Sequence, residues 1–219
     1  MRILLIIALF IFAKTANCQE NKITDQLLQQ ICNSIDSNKS DNDSVKVFQA
    51  FEKHLLPVMK DMDQAEAREA WEKTLIRLQR ICISFKKILD KMDPNTRSDW
   101  REVDSKPLPS VDKSVCRDFS KLKNFTYLER SGDTVHLTID NGFWTDHFKD
   151  GTYSKLKVRW KTDCELEIEF IESNNVIRKN FSKPGDKYSY QVLSKGDGFY
   201  LMSAEIVGQN RFLTFKLYY

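Results

Sequence analysis

The spacing of apolar positions changes near the middle of this chain. From position 23 to position 92 they recur every three or four residues, whereas from about position 121 they alternate with polar residues. This change of period predicts an α+β protein, with an N-terminal three-helix bundle followed by an antiparallel β-meander. We expect the meander to curl into a small barrel or half-barrel, because an open sheet of this length would leave apolar edges exposed.

The clearest helical pattern is a heptad seam, in which apolar residues follow one another at alternating steps of four and three. The seam consists of Trp71, Leu75, Leu78, Cys82, Phe85, Leu89 and Met92. It predicts one long third helix. Two shorter helices with apolar faces precede it, and Pro57 should kink or end the second. Because those faces need covering, an intramolecular bundle is favoured over the alternative, a coiled coil between copies of the chain.

Seven alternating segments predict strands, separated by turns rich in Gly, Asp and Asn. They span 125–130, 134–140, 154–161, 165–171, 188–194, 199–207 and 211–218. In the hairpin of the third and fourth, a turn through 162–164 would pair Arg159 with Glu167 and Val158 with Ile168. Only such a register keeps charged and apolar side chains on opposite faces. The cations are therefore interpreted as cross-strand ion pairs, and a stripe that binds nucleic acid or lipid headgroups is the alternative.

The first eighteen residues have the pattern of an export signal. Arg2 precedes an eleven-residue apolar run, and small residues at 16 and 18 suit cleavage before Gln19. The run is too short to span a bilayer, which needs about 20 residues. We therefore expect an exported protein, periplasmic or extracellular, with no transmembrane segment. Lipidation of Cys18 is the alternative, although Asn17 stands where such signals prefer Gly, Ala or Ser.

Domain boundaries and charge follow from the same patterns. We assign 1–18 to the signal peptide, 19–105 to a helical domain, 106–115 to a linker and 116–219 to an antiparallel β domain. Two of the 34 basic residues lie in the signal, which leaves 32 against 31 acidic ones and lowers the net charge from +3 to +1. Nucleic-acid-binding domains are usually far more basic, so we expect no nucleic-acid partner.

Four cysteines remain after the signal, and an even number in an exported chain predicts disulfides. Cys32 and Cys82 lie on apolar helix faces that should pack together. Cys116 and Cys164 would pin the start of the β domain to a turn. We predict these two pairings, because crossed pairs would tie two separate cores across the linker. Since no two of these cysteines are closely spaced, a zinc site is not expected.

The β half is rich in aromatic residues, which a curled sheet would turn inward. The candidate ligand-facing residues are Trp144, Trp160 and Phe170. A core filled by its own side chains is the alternative, since a barrel of about eight strands is just wide enough for that. No known catalytic motif is present. A constellation of His136, Asp146 and His147 is conceivable, but neighbours 146 and 147 would point to opposite faces of a strand.

The β half also resembles small exported proteins of unknown function from Bacteroidota, over about residues 116–219. The resemblance rests on an early Cys116, a Gly132-Asp133 turn and the hairpin motif Trp160-Lys161-Thr162-Asp163-Cys164. It implies an exported domain and no particular activity.

Together these patterns favour a non-catalytic exported protein that binds a protein or a small apolar ligand. We expect a monomer without cofactor, metal or catalytic residues. One alternative is a small hydrolase that uses Asp146 and His147, and another is a structural protein of the cell envelope.

Overall fold

The computed structural model describes residues 22–94 and 98–219. The predicted export signal, Gln19 and Cys18 lie outside these residues. The described helices are α1 (Asp25–Ser37), α2 (Asp43–Met59), α3 (Gln64–Ile81), α4 (Ile83–Met92), α5 (Lys113–Lys121) and α6 (Val176–Phe181). The described strands are β1 (Arg101–Val103), β2 (Asn124–Leu128), β3 (Thr134–Asp140), β4 (Phe143–His147), β5 (Tyr153–Trp160), β6 (Glu165–Ser173), β7 (Lys187–Lys195), β8 (Phe199–Ile206) and β9 (Arg211–Tyr218). The predicted α+β class is confirmed.

Helices α1 to α4 enclose one apolar core, and local sequence explains where they begin. Thr24 caps α1 by accepting a hydrogen bond from the Leu27 amide. Asp63 and Glu66 form a reciprocal capping box at the start of α3. Pro57 does not end α2 at once, because the helix continues for two more residues.

The prediction of one long third helix is wrong, because the chain breaks at Cys82 into α3 and α4. Cys82 is extended, with φ −117° and ψ 105°, and its sulfur is bonded to Cys32 on α1. This change of direction keeps the apolar seam from lying on one face. Leu78 and Phe85 are buried, whereas Trp71 and Met92 are 38% and 72% exposed.

Strands β2 to β9 form a closed antiparallel barrel of eight strands, in which each strand pairs with the next along the chain. The barrel closes where Thr126 of β2 pairs with Tyr218 of β9. Short β1 pairs with the other end of β9, although residues 101–103 were assigned from the sequence to the helical domain. Strand β4 and helices α5 and α6 were not predicted.

The predicted hairpin register and both predicted disulfides are confirmed. Arg159 pairs with Glu167 and Val158 with Ile168 between β5 and β6. The Arg159 guanidinium lies 2.8 Å from the Glu167 carboxylate on the outer face. The disulfides join Cys32 to Cys82 and Cys116 to Cys164.

One end of the barrel, here called the closed end, is plugged by α5. Its Phe119 is 1% exposed and packs against Phe125 and Tyr200 at 5.1 Å between ring centroids. The disulfide between Cys116 and Cys164 ties α5 to the turn between β5 and β6. The closed half of the barrel is therefore filled by protein side chains.

The opposite end, here called the open end, lies under the helical domain. Arg77 and Arg80 of α3 both pair with Asp186, in the segment that enters β7. Arg77 also bonds Asp25 of α1 and the carbonyl oxygen of Phe181 on α6. The helical domain is thus anchored beside the mouth of the barrel by buried arginines.

Candidate ligand-binding cavity

A cavity of about 1280 Å³ lies in the open half of the barrel and extends to helices α3 and α4, where Ile76 and Lys86 line it. Two short inward-facing side chains, Ser154 on β5 and Ala204 on β8, help leave this space. The wall is mostly apolar and aromatic. Besides Ala204, residues of this kind in the wall are Ile76, Trp100, Tyr127, Val135, Trp144, Phe148, Leu156, Ile168, Phe170, Ile177, Phe181, Tyr188, Tyr190, Ile206 and Leu213.

The same strands close the space toward the other end with larger side chains. On β8, Tyr200 and Met202 face inward below Ala204 and are 1% and 0% exposed. Neither these two residues nor Leu166 on β6 and Phe215 on β9 line the cavity. A single barrel therefore has a filled half and a hollow half.

A carboxylate lies in the wall of this cavity. Asp146 follows Trp144 by two residues on β4, so both side chains point inward. The indole Nε1 of Trp144 donates a hydrogen bond of 2.9 Å to Asp146 Oδ1. Burial raises the pKa of Asp146 to about 6, although the Arg178 charge and hydrogen bonds from Trp144 and Tyr127 act in the opposite direction.

Aromatic rings surround this carboxylate. Trp144 meets Tyr190 edge to face at 5.2 Å, and Tyr190 meets Phe215 at 5.4 Å. Trp100 stacks on Phe215 with 4.0 Å between the ring centroids. Phe215 lies between the part of β9 that pairs with β1 and the residue that pairs with β2. These contacts pack the rings of the wall against one another.

The mouth of the cavity carries paired charges. Arg178 on α6 pairs with Glu129, next to β2, and its guanidinium lies 5.3 Å from the centre of the Phe148 ring. Arg211 on β9 pairs with Glu102 and donates to the Gln79 carbonyl, while its buried Nε has no hydrogen-bond partner among the described residues. The mouth is therefore polar above an apolar interior.

The anchor of the helical domain depends on charge. Hydrogen bonds from Arg77 and Lys183 lower the pKa of Asp25 to about 2, although burial works in the opposite direction. The Arg80 guanidinium also lies 4.6 Å from the centre of the Tyr188 ring, which belongs to the cavity wall. Arg80 therefore links the charged contacts of the helical domain to the wall of the cavity.

The structure brings together two of the three predicted ligand-facing residues. Trp144 and Phe170 both lie in the cavity wall. Trp160 does not, because it is the last residue of β5 and lies at the closed end. There it is 38% exposed and meets the edge of Phe119 at 6.1 Å.

The constellation of His136, Asp146 and His147 is not assembled. Asp146 points into the barrel, whereas both histidines are exposed and pair with each other across β3 and β4. The only group of described residues with the spacing of a metal site is Cys32, Asp36 and Cys82. Its two cysteines are joined in a disulfide and cannot both serve as thiolate ligands.

Several cavity residues were missed from the sequence. The sequence analysis treated Asp146 only as a possible partner of His147 in a catalytic site. Its spacing of two residues from Trp144 already predicted that both side chains lie on the same face of a strand. Tyr127 and Tyr190 follow the same alternation in their strands. Arg178 gave no comparable signal, because it lies on a helix of six residues that no periodicity reveals.

No protein-family model, curated protein or solved structure matches this chain. Among the described residues, no helix is long and apolar enough to cross a membrane.

Proposed function

We propose that this is an exported, non-catalytic protein that binds a small amphipathic organic molecule in the open half of its barrel. The observation that carries the proposal is the 1280 Å³ cavity, whose aromatic wall contains one buried carboxylate. Pockets for small molecules typically have volumes of about 300–1000 Å³ and a few polar groups in an apolar lining. The cavity is large enough for a ligand of that class.

A binding role is also supported by how the polar groups are placed. Asp146 is buried in the wall, and the ion pairs of Arg178 with Glu129 and of Arg211 with Glu102 also line the cavity. A ligand with an apolar body would fill the interior and leave these ion pairs intact. The hydrolase alternative is weaker, because the Asp146 and His147 side chains point to opposite faces of β4.

The proposal predicts that filling the cavity abolishes binding. N-phenyl-1-naphthylamine, an uncharged apolar probe that fluoresces in apolar surroundings, should bind the wild-type protein at one site. Ala204→Phe places a ring in the cavity and should weaken binding at least tenfold, with Ala204→Val giving a smaller loss. The measurement is a fluorescence titration.

Met202→Leu is the matched control, because Met202 faces inward on the same strand but lies in the filled half. This volume-conserving change should leave binding of the probe unchanged. Equal binding by Ala204→Phe and wild-type protein, both folded by circular dichroism, would contradict the proposal.

A further inference from the structure

Among the described residues, the groups that donate hydrogen bonds to the Asp146 carboxylate are neutral. Trp144 donates at 2.9 Å, and Tyr127 also hydrogen-bonds to it. Among the described residues, no lysine, arginine or histidine forms an ion pair with it, whereas Arg178, the nearest cation, pairs with Glu129. A buried carboxylate without an ionic partner is costly, and a ligand cation would remove that cost.

The charges around Asp146 also favour a cation. The charged and titratable groups that face it are Arg178, Glu129, Tyr127 and Tyr190. Arg178 and Glu129 neutralise each other, and both tyrosines are uncharged at neutral pH because burial raises their pKa values. The deep part of the cavity therefore has a net charge of about minus one when Asp146 is ionised.

The neighbouring aromatic rings suit the same kind of ligand. Trp144, Tyr127 and Tyr190 all line the cavity beside the carboxylate. Trp144 turns the N–H edge of its indole to the carboxylate, so its ring serves as an apolar surface for the body of a ligand whose cation pairs with Asp146. The apolar side chains nearby, such as Leu156, Ile168 and Phe170, match a hydrocarbon or aromatic body.

We propose that the ligand is a small organic amine, whose ammonium group pairs with Asp146 and whose apolar body lies along the aromatic wall. This inference rests on the proposed binding function and names the chemical class of the ligand. It assigns Asp146 as the residue that selects for positive charge, and the rings of Trp144 and Tyr190 as the surface that holds the body of the amine.

Three probes of similar shape and different charge test the inference on wild-type protein at pH 7.5. They are 2-phenylethylamine, 2-phenylethanol and 3-phenylpropionate, measured by isothermal titration calorimetry. The amine should bind at least tenfold tighter than the alcohol, and the carboxylate should bind most weakly. In Asp146→Asn the preference for the amine over the alcohol should fall to less than threefold.

Asp150→Asn is the matched control, because Asp150 lies at the exposed rim of the same cavity. It should keep the preference for the amine. Equal binding of the amine and the alcohol, tighter binding of the carboxylate, or no binding of any of the three would overturn the inference.

The proposed function has a separate readout. If N-phenyl-1-naphthylamine binds in the cavity while the amine is not preferred, only the assignment of an amine fails. If this apolar probe does not bind either, the proposed binding function fails as well.

Discussion

The two ends of the barrel are built from the same eight strands, yet they differ in how their interiors are filled. At the closed end, large side chains pack around Phe119 of α5. At the open end, Ser154 and Ala204 stand where larger residues would fit, and a carboxylate lies in the wall. The comparison indicates that stability is concentrated at one end, while the other end retains a cavity and a buried charge that reduce stability.

A large effect is expected from the disulfide of the closed end. Replacing both Cys116 and Cys164 by serine should lower the free energy of unfolding by about 4 kcal/mol, since the bridge closes a loop of nearly fifty residues. Urea unfolding measures the loss. The same replacement at Cys32 and Cys82, which lie outside the barrel, should leave binding of the apolar probe nearly unchanged. If the second variant no longer bound the probe, binding would depend on the helical domain as well as on the open end of the barrel.

Truncating Phe119 in the α5 plug should destabilise the protein more than truncating a residue of the cavity wall. Phe119→Ala leaves a void in a filled core and should destabilise the protein by about 3–5 kcal/mol. Phe170→Ala only enlarges an existing cavity, so the loss should be smaller, about 2 kcal/mol. Urea unfolding of both variants provides the test. Equal losses would mean that the two halves are packed alike.

Asp146 should reduce stability at neutral pH. Its folded pKa, about 6, lies above the usual value near 3.9, so the folded state binds its proton more tightly than the unfolded state. Its ionisation therefore destabilises the protein as pH rises from about 4 through 6. Asp146→Asn should raise the free energy of unfolding by up to about 3 kcal/mol at pH 7.5 and by almost nothing at pH 3.5.

The control for this prediction is Asp150→Asn. Hydrogen bonds from Thr152 lower the pKa of Asp150. The ionised Asp150 carboxylate therefore stabilises the folded protein, and this stabilisation is lost as the pH falls. Urea unfolding at several pH values distinguishes the two. A lower stability of Asp146→Asn at pH 7.5 would show that the carboxylate serves the fold.

The smallest effect is expected on the outer face. A double-mutant cycle at Arg159 and Glu167 should give a coupling of about 0.2–1 kcal/mol, because the Arg159 side chain is largely exposed. Exchanging the two charges should restore part of any loss, since Glu167 also pairs with Lys161 and Lys187. The cycle is measured by urea unfolding, and a coupling above 2 kcal/mol would contradict a solvated ion pair.

Sequence periodicity predicted the longer strands and helices of this molecule. Alternation in the β half predicted a curled antiparallel meander, and the faces of the charged hairpin determined its register. The break at Cys82 could not be read from the heptad seam, because the alternating steps of four and three continue unchanged across this position. Short elements such as β1 and α6 have too few residues to show a period.

The candidate site was only half predictable. Alternation along β4 places Trp144 and Asp146 on one face, so the inward carboxylate follows from the sequence once β4 is recognised. The space beside it does not follow, because it depends on how short residues from distant strands, such as Ser154 and Ala204, meet in the closed barrel. The resemblance to exported Bacteroidota proteins stays a prediction.

The most direct test of the central claim is methyl NMR during titration with N-phenyl-1-naphthylamine. The methyl signals of Ala204 and Ile168 in the hollow half should shift along a single binding curve. The chemical-shift changes of Met202 and Leu166 in the filled half should be only a small fraction of these. Shifts confined to the filled half or to the surface of the helical domain, or no shifts at all, would contradict the account.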